Sequence, residues 1–225
     1  MKRTSRQTEA IEDYLKAIYL LAQELSAPVT TSALARRMKV SAPAASAMFK
    51  KLASRGLVRH ERYRGVTLTR KGERVAVEVL RHHRLLEQYL AARLGVAIDE
   101  VHDEAEQLEH ALSEELEARI YRELGFPTHD PHGHPIPDAE LRVQRSPMRT
   151  LGDLEPGELA TVKRVPDRDR QLLAYLSSLG LLPGRAIELV SAAPFGGPLL
   201  LLAGGVEFAL ARDLAKLVEV SAASA

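Results

Sequence analysis

The sequence predicts a mainly α protein with a smaller β part: an N-terminal winged helix-turn-helix, a helical middle segment and a C-terminal SH3-like β-barrel. Three observations carry that prediction. Apolar residues recur at three- and four-residue steps through most of the first 124 positions. After residue 148 the pattern changes to short strands set between Pro-Gly and Gly-Gly turns. Charge also changes sign along the chain: residues 1–75 hold 16 Lys/Arg against 6 Asp/Glu, residues 76–142 hold 6 against 15, and residues 143–225 hold 9 against 9. A basic segment beside an acidic one implies two partners, one anionic and one cationic.

Composition narrows the function classes. With 225 residues, 45% of them hydrophobic, the chain can bury one large core or two to three small ones. It has no cysteine, which excludes a disulfide framework, a thiolate metal site and a cysteine nucleophile. The start, MKRTSRQTEAIEDYLK, has basic residues with no apolar run behind them, so it does not read as a secretory signal. The greasiest stretch, PLLLLAGGV at 198–206, is far too short to span a membrane. A cytoplasmic protein without a membrane partner is the expectation.

In the first segment (1–75) Ile11, Leu15, Ile18, Ala22 and Leu25 define a helix stripe. TTSALARRM then starts a short capped helix. SAPAASAMFKKLASRG follows, with Ser41 as cap, Pro43 in the first turn, Gly56 as the stop, and Ala45, Met48, Phe49 and Leu52 facing inward. LVRHERYRGVTLTRKG alternates as two strands about Arg64-Gly65, an arginine-rich wing. Helical pairs are often plain core, but here the outward face carries Pro43, Ala47, Lys50 and Ser54, and the wing adds Arg59, Arg62 and Arg64. Positive excess of this size is the footprint of nucleic-acid binding. The expected DNA contacts are Arg36, Ser41, Pro43, Ala44, Ser46, Ala47, Lys50, Arg62 and Arg64. The small side chains among them lack forked donors for guanine, so thymine methyls and DNA shape must supply specificity. One such module binds weakly, which favours a homodimer on a paired, palindromic double-stranded site.

The middle segment (76–142) is helical. Val79, Leu85, Leu86, Tyr89, Leu90 and Leu94 precede Val101, Leu108, Leu112, Leu116, Ile120 and Leu124, more apolar surface than a few helices can cover alone. GFPTHDPHGHPIPD at 125–138 ends the helices, and its His129, His132 and His134 read as solvated histidines of a proline-set turn. The third segment (148–222) reads as short strands around one helix, DRQLLAYLSSLG, with no catalytic constellation.

VHDEAEQLEH at 101–110 holds two histidines and four carboxylates. On an α-helix, with His102 at zero and about 100° per residue, Glu106 falls near 40°, Glu109 near −20° and His110 near 80°. His83 and Glu87 form another i,i+4 pair. Charged helices with incidental histidines are common. Carboxylates gathered this closely, however, repel one another and drift toward protonation unless a cation sits among them. Oxygen and imidazole donors without sulfur suit Mn²⁺, Fe²⁺, Co²⁺ or Zn²⁺. An enzymatic acid–base pair lacks a nucleophile or pocket nearby, and a di-metal carboxylate enzyme needs paired Glu-x-x-His motifs that are missing here.

These residues, with EDYLKAIYLL at 12–21, SAPAASAMFKKL, RHHRLLEQYL at 81–90 and PHGHPIP at 131–137, give the whole chain a resemblance to the diphtheria-toxin-repressor family of metal-dependent repressors. The resemblance implies a homodimer with winged helices on DNA, a helical dimerisation and metal-binding domain, and a C-terminal SH3-like (FeoA-like) domain. It implies a primary metal site of Asp13, Glu106, Glu109 and His110, and an ancillary site of His83, Glu87 and His102 completed by Asp169 and Gln171. Iron-responsive members have methionine and cysteine at the positions of Asp13 and Glu106. Hard oxygen donors at both implicate Mn²⁺ as the activating ion, with Fe²⁺ the alternative, and repression of metal-uptake genes as the function. Two-domain manganese regulators carry glutamate where this chain has Lys16, so one ligand of their paired-metal site is replaced by a positive charge. A metal-independent winged-helix regulator is the reading from a different class.

Overall fold

Helix α1 (Lys2–Leu25) opens the chain in a computed structural model that describes residues 2–61, 64–144 and 149–222. Ile11, Leu15 and Ile18 lie buried along one stripe, as the periodicity predicts. Leu25 does not: it ends the helix just before Ser26 at φ 49° and is 49% exposed. Helix α2 (Thr31–Arg37) begins where the Thr30 hydroxyl accepts the Ala33 N–H at 3.2 Å. Helix α3 (Ala42–Ser54) begins likewise on Ser41, which accepts the Ala44 N–H at 3.3 Å. Pro43 sits in that first turn, where a missing N–H costs nothing. Gly56 closes the helix at φ 68°, a left-handed conformation that favours glycine.

Strands β1 (Val58–Glu61) and β2 (Gly65–Leu68) pair antiparallel with Val58 opposite Leu68. Val29 and Val66 exchange two backbone hydrogen bonds of 2.9 Å, so the segment after α1 forms a third short rung of the wing. With Phe49, Leu52, Val58 and Val66 buried, the winged helix-turn-helix has the expected order and the expected inner face. These elements belong to one of two units into which the chain divides; it runs to His83 and takes in Glu109–Leu112 and Pro137–Arg142.

The other unit comprises Arg84–Leu108, Ser113–Ile136 and the chain from Val143 on. Helix α4 (Arg70–Leu94) contributes its first half to the first unit and its second half to this one. Helix α5 (Val101–Leu108) and helix α6 (Glu114–Glu123), capped by Ser113, also lie here. The C-terminal part is a six-stranded antiparallel sheet of β3 (Arg149–Thr150), β4 (Leu159–Arg164), β5 (Ala186–Ala192), β6 (Leu199–Ala203), β7 (Val206–Leu210) and β8 (Glu219–Ala222), in the order β3-β8-β4-β5-β6-β7. Irregular register at Val162/Arg164 and Leu189/Ser191 bends the strands, and the concave face closes over Leu151, Val162, Leu189, Leu201 and helix α7 (Arg170–Ser178). A curled sheet around one helix is what the short strands predict. Among the described residues no helix is long and apolar enough to cross a membrane.

Gly72, in the first turn of α4, shows how closely the wing backbone approaches that helix. A Cβ there would lie 2.0 Å from the Leu57 carbonyl oxygen. Gly72→Ala therefore destabilises the fold, by about 1–3 kcal/mol, against the gain of ~1 kcal/mol that alanine brings to an open helix position. Urea denaturation of the two chains checks the sign.

Candidate metal centres and nucleic-acid interface

The stretch RHHRLLE, residues 81–87 of α4, is buried at every position, charged residues included. Burying charge is costly unless each group finds a partner. Arg81 donates to the Pro137 carbonyl, and Arg84 donates to that of Pro135 at 2.6 Å. His82 donates from Nδ1 to the Glu109 carbonyl at 3.1 Å. His83 Nδ1 donates to Glu109 Oε2 at 2.6 Å. Buried charged and polar side chains thus line this stretch of α4, each with a hydrogen-bond partner close by.

The first cluster lies within the first unit. Asp13 of α1, Glu109 and His110 each offer a donor atom, all within 4.8 Å of one another. His110 donates from Nε2 to Asp13 Oδ1 and from Nδ1 to Glu12 Oε2, each at 2.8 Å. These two bonds push the His110 imidazole up to about 10, against the opposing effect of burial. Glu109 is 1% exposed. Burial alone would raise its carboxyl, but the His83 hydrogen bond and the Lys16 charge outweigh it and hold it below the usual carboxylate range. Lys16 reaches both Glu109 oxygens, at 2.6 and 2.7 Å. The cluster offers oxygen and imidazole donors and no sulfur, which fits a divalent first-row cation.

Glu106, the fourth expected member, is not among the donors that gather within 4.8 Å of one another. The α-helix stops at Leu108, and Glu109–Ala111 form a 3₁₀ turn. Tighter winding rotates Glu109 and His110 away from the angles that a continuous α-helix predicts. The Glu106 side chain is 54% exposed and lies 3.9 Å from His102 Nε2, one turn back on α5.

The second cluster lies within the second unit. Glu87 accepts from His102 Nδ1 at 3.1 Å, which brings together two of the residues that the resemblance implies for the ancillary site. His132 also enters this cluster, contrary to the solvated turn expected of it: it is 0% exposed. Its Nε2 donates to the Ile98 carbonyl at 2.9 Å, and Nδ1 lies 3.6 Å from Glu87 Oε2 with no hydrogen-bond partner among the described residues. Burial would lower the imidazole, but the Glu87 carboxylate outweighs it and pushes His132 up to about 9. Asp167 completes a trio with Glu87 and His132 within 4.8 Å. Asp169 and Gln171 are placed otherwise. Asp169 caps α7, its Oδ1 accepting the N–H of Gln171 at 3.0 Å and of Leu172 at 3.1 Å, and the Gln171 side chain is exposed.

The histidine loop is held by backbone as much as by side chains. Asp130 Oδ1 accepts the N–H of His132 and of His134, both at 2.9 Å, which folds PHGH into a tight turn. Gly133, at φ 88°, lies so close to β4 that a Cβ would be 1.8 Å from the Lys163 carbonyl oxygen. Sequence reasoning missed His132 as an inward residue because proline and glycine mark a turn without saying what the turn packs on. Asp167 carried no motif signal, and Glu12, although it opens EDYLKAIYLL, carried none that marked it as a partner of His110.

The candidate nucleic-acid face belongs to α2, α3 and the wing. Arg36, Ser41, Pro43, Ala44, Ala47 and Lys50 are exposed, Ser46 is half-buried, and the wing shows Arg59 and Arg64 outward. Arg62 lies outside the described residues. On α3, Lys50 follows the small side chains of Pro43, Ala44, Ser46 and Ala47, a shape that can approach base edges closely but reads few donors.

Comparison with known proteins agrees with this layout. Residues 7–66 match the model of the iron dependent repressor N-terminal DNA binding domain. Residues 69–138 match that of the iron dependent repressor metal binding and dimerisation domain, and residues 149–222 match the FeoA domain. The chain is 32% identical to the iron-dependent repressor IdeR of Mycobacterium tuberculosis, over 94% of its own length and 96% of that protein. It is also 32% identical to the diphtheria toxin repressor of Corynebacterium efficiens, over 94% and 95%. Among solved structures, a manganese-dependent transcriptional repressor in complex with manganese superposes with a TM-score of 0.85 at 42% identity, covering 95% of this chain and all of that one. The manganese regulator SloR superposes at 0.76 with 33% identity, covering 95% and 98%.

The His110 geometry sets a pH dependence. Held charged up to about 10 rather than 6.5, His110 contributes its ion-pair stability in full below pH 6.5 and loses it as pH rises through about 10. Thermal melts in excess chelator should therefore fall more steeply over that interval for the native chain than for His110→Gln. Parallel profiles would remove His110 from this role.

Proposed function

The chain belongs to the iron-dependent repressor family, and from that premise we propose that it is a manganese-activated repressor of genes for divalent-metal uptake, binding a palindromic DNA operator as a cytoplasmic homodimer. The observation that carries this reading is the convergence of Asp13, Glu109 and His110, hard oxygen and imidazole donors from residues about a hundred positions apart. We assign Glu106 as the fourth ligand from its place in the VHDEAEQLEH motif. A bound divalent cation would supply positive charge that fastens these donors to one another. Asp13 then ties α1, which leads into the reading helices α2 and α3, to the turn at Glu109–Ala111. Fixing that junction favours one presentation of the recognition surface, and operator DNA must tighten metal binding by the same factor that metal tightens DNA binding.

Glu87, His102, His132 and Asp167 are assigned to a second cation site, and His83 to the same site from its sequence position four residues before Glu87. His132 Nδ1 supports the assignment: it is buried, faces carboxylates and has no hydrogen-bond partner among the described residues. Hard donors at the first cluster favour manganese over a soft-ligand iron site, yet intrinsic affinity for Fe²⁺ is at least as high, so discrimination rests on geometry and supply. Activation by Fe²⁺ is the second reading, supported by the iron-dependent repressors among the relatives.

The test uses operator DNA selected from a random-sequence pool. Fluorescence anisotropy in chelator, then with Mn²⁺ or anaerobic Fe²⁺ restored, should show metal raising affinity roughly 5–150-fold. Asp13→Ala should lose that response and remain a folded dimer by light scattering. Operator affinity indifferent to chelator would instead support a metal-independent regulator.

A further inference from the structure

Lys16 lies on α1 three residues after Asp13, with only 7% of its surface exposed. Its ammonium spans the Glu109 carboxylate, 2.6 Å from Oε1 and 2.7 Å from Oε2. Oε2 also accepts from His83 at 2.6 Å, whereas Oε1 faces His110 Nε2 at 3.5 Å. Oε1 is therefore the oxygen that a cation shared with His110 and Asp13 would use, and a fixed positive charge already holds it. Two cations a few ångströms apart repel strongly where water is scarce, and counter-ions from solution do not screen them there.

We propose that Lys16 is an internal competitor for the divalent ion, a tethered cation that raises the metal concentration at which the Asp13–Glu109–His110 cluster fills. The inference rests on the reading of that cluster as a metal centre. Lys16 compensates Glu109 before any ion arrives, so the buried carboxylate needs no metal to stay in place. The same contact opposes the ion, because a carboxylate held by an ammonium gives up part of that interaction on coordination. Asp13, Glu109 and His110 would hold the ion, with the Lys16 ammonium giving up Oε1 and retaining Oε2.

The experiment is a Mn²⁺ titration of the full chain, followed by calorimetry and by the electron paramagnetic resonance of free Mn²⁺. Glu87→Gln is present throughout to silence the second cluster. Lys16→Gln, which removes the charge and keeps a donor, should fill at Mn²⁺ concentrations lower by roughly tenfold or more. Lys16→Arg, which keeps the charge, should stay within about threefold of the Lys16 chain. An unchanged or weaker affinity in Lys16→Gln overturns the proposal while leaving the metal centre intact. A Lys16 chain that takes up no Mn²⁺ in this cluster overturns the metal centre, and this inference with it. Crystals of the native chain grown with Mn²⁺ decide independently of how the variants fold: Lys16 Nζ should have left Oε1, and retention of both contacts beside a bound ion refutes the competition.

Discussion

A carboxylate with almost no access to water, Glu109, is the constraint around which the first unit is organised. An uncompensated charge there would cost several kcal/mol, so neighbouring elements must bring it partners. Lys16 comes from α1, His83 comes from α4, and His82 of α4 takes the backbone carbonyl of the same residue. Two stretches far apart in sequence, α1 and α4, are thereby pinned to one short turn. The turn itself is 3₁₀ rather than α, which lets Glu109 point inward and His110 reach back to α1.

The winged helix and the Glu109–Leu112 segment share one unit, so the candidate metal donors and the candidate DNA-reading surface are mechanically close relatives. Helix α1 carries Glu12, Asp13 and Lys16 on one stretch and precedes α2 and α3 directly. A change in what holds Asp13 and His110 together acts on the helix that leads into the reading surface. No long-range relay is needed for coupling of this kind, only an element whose position both ligands bias.

The second cluster solves the same electrostatic problem with other parts. Glu87 is buried against His102 and His132, and Asp130 is buried against two backbone N–H groups with the Arg84 guanidinium 3.6 Å away. In both clusters protons on histidine and a fixed Lys or Arg neutralise carboxylates that a metal ion would otherwise neutralise. Metal uptake at such sites must displace protons, so affinity falls as pH falls. Both clusters tolerate the burial of charge through internal contacts of this kind.

The sequence by itself determined the order of domains, because the 3.6-residue and two-residue periodicities, the caps at Thr30, Ser41 and Ser113 and the glycine stops are all local signals. It also determined the donor types, since Asp13, Glu87, His102, Glu109 and His110 stand in recognisable motifs. Tertiary structure alone decided which of them meet. Helical-wheel angles assume one continuous α-helix, and the 3₁₀ turn at Glu109 breaks that assumption. His132, Asp167, Glu12 and the grip of Lys16 on Glu109 depend on contacts between segments distant in sequence. A one-dimensional pattern carries no term for such contacts. They are set by close packing and by the need to pair every buried charge, and both act only once the chain has folded.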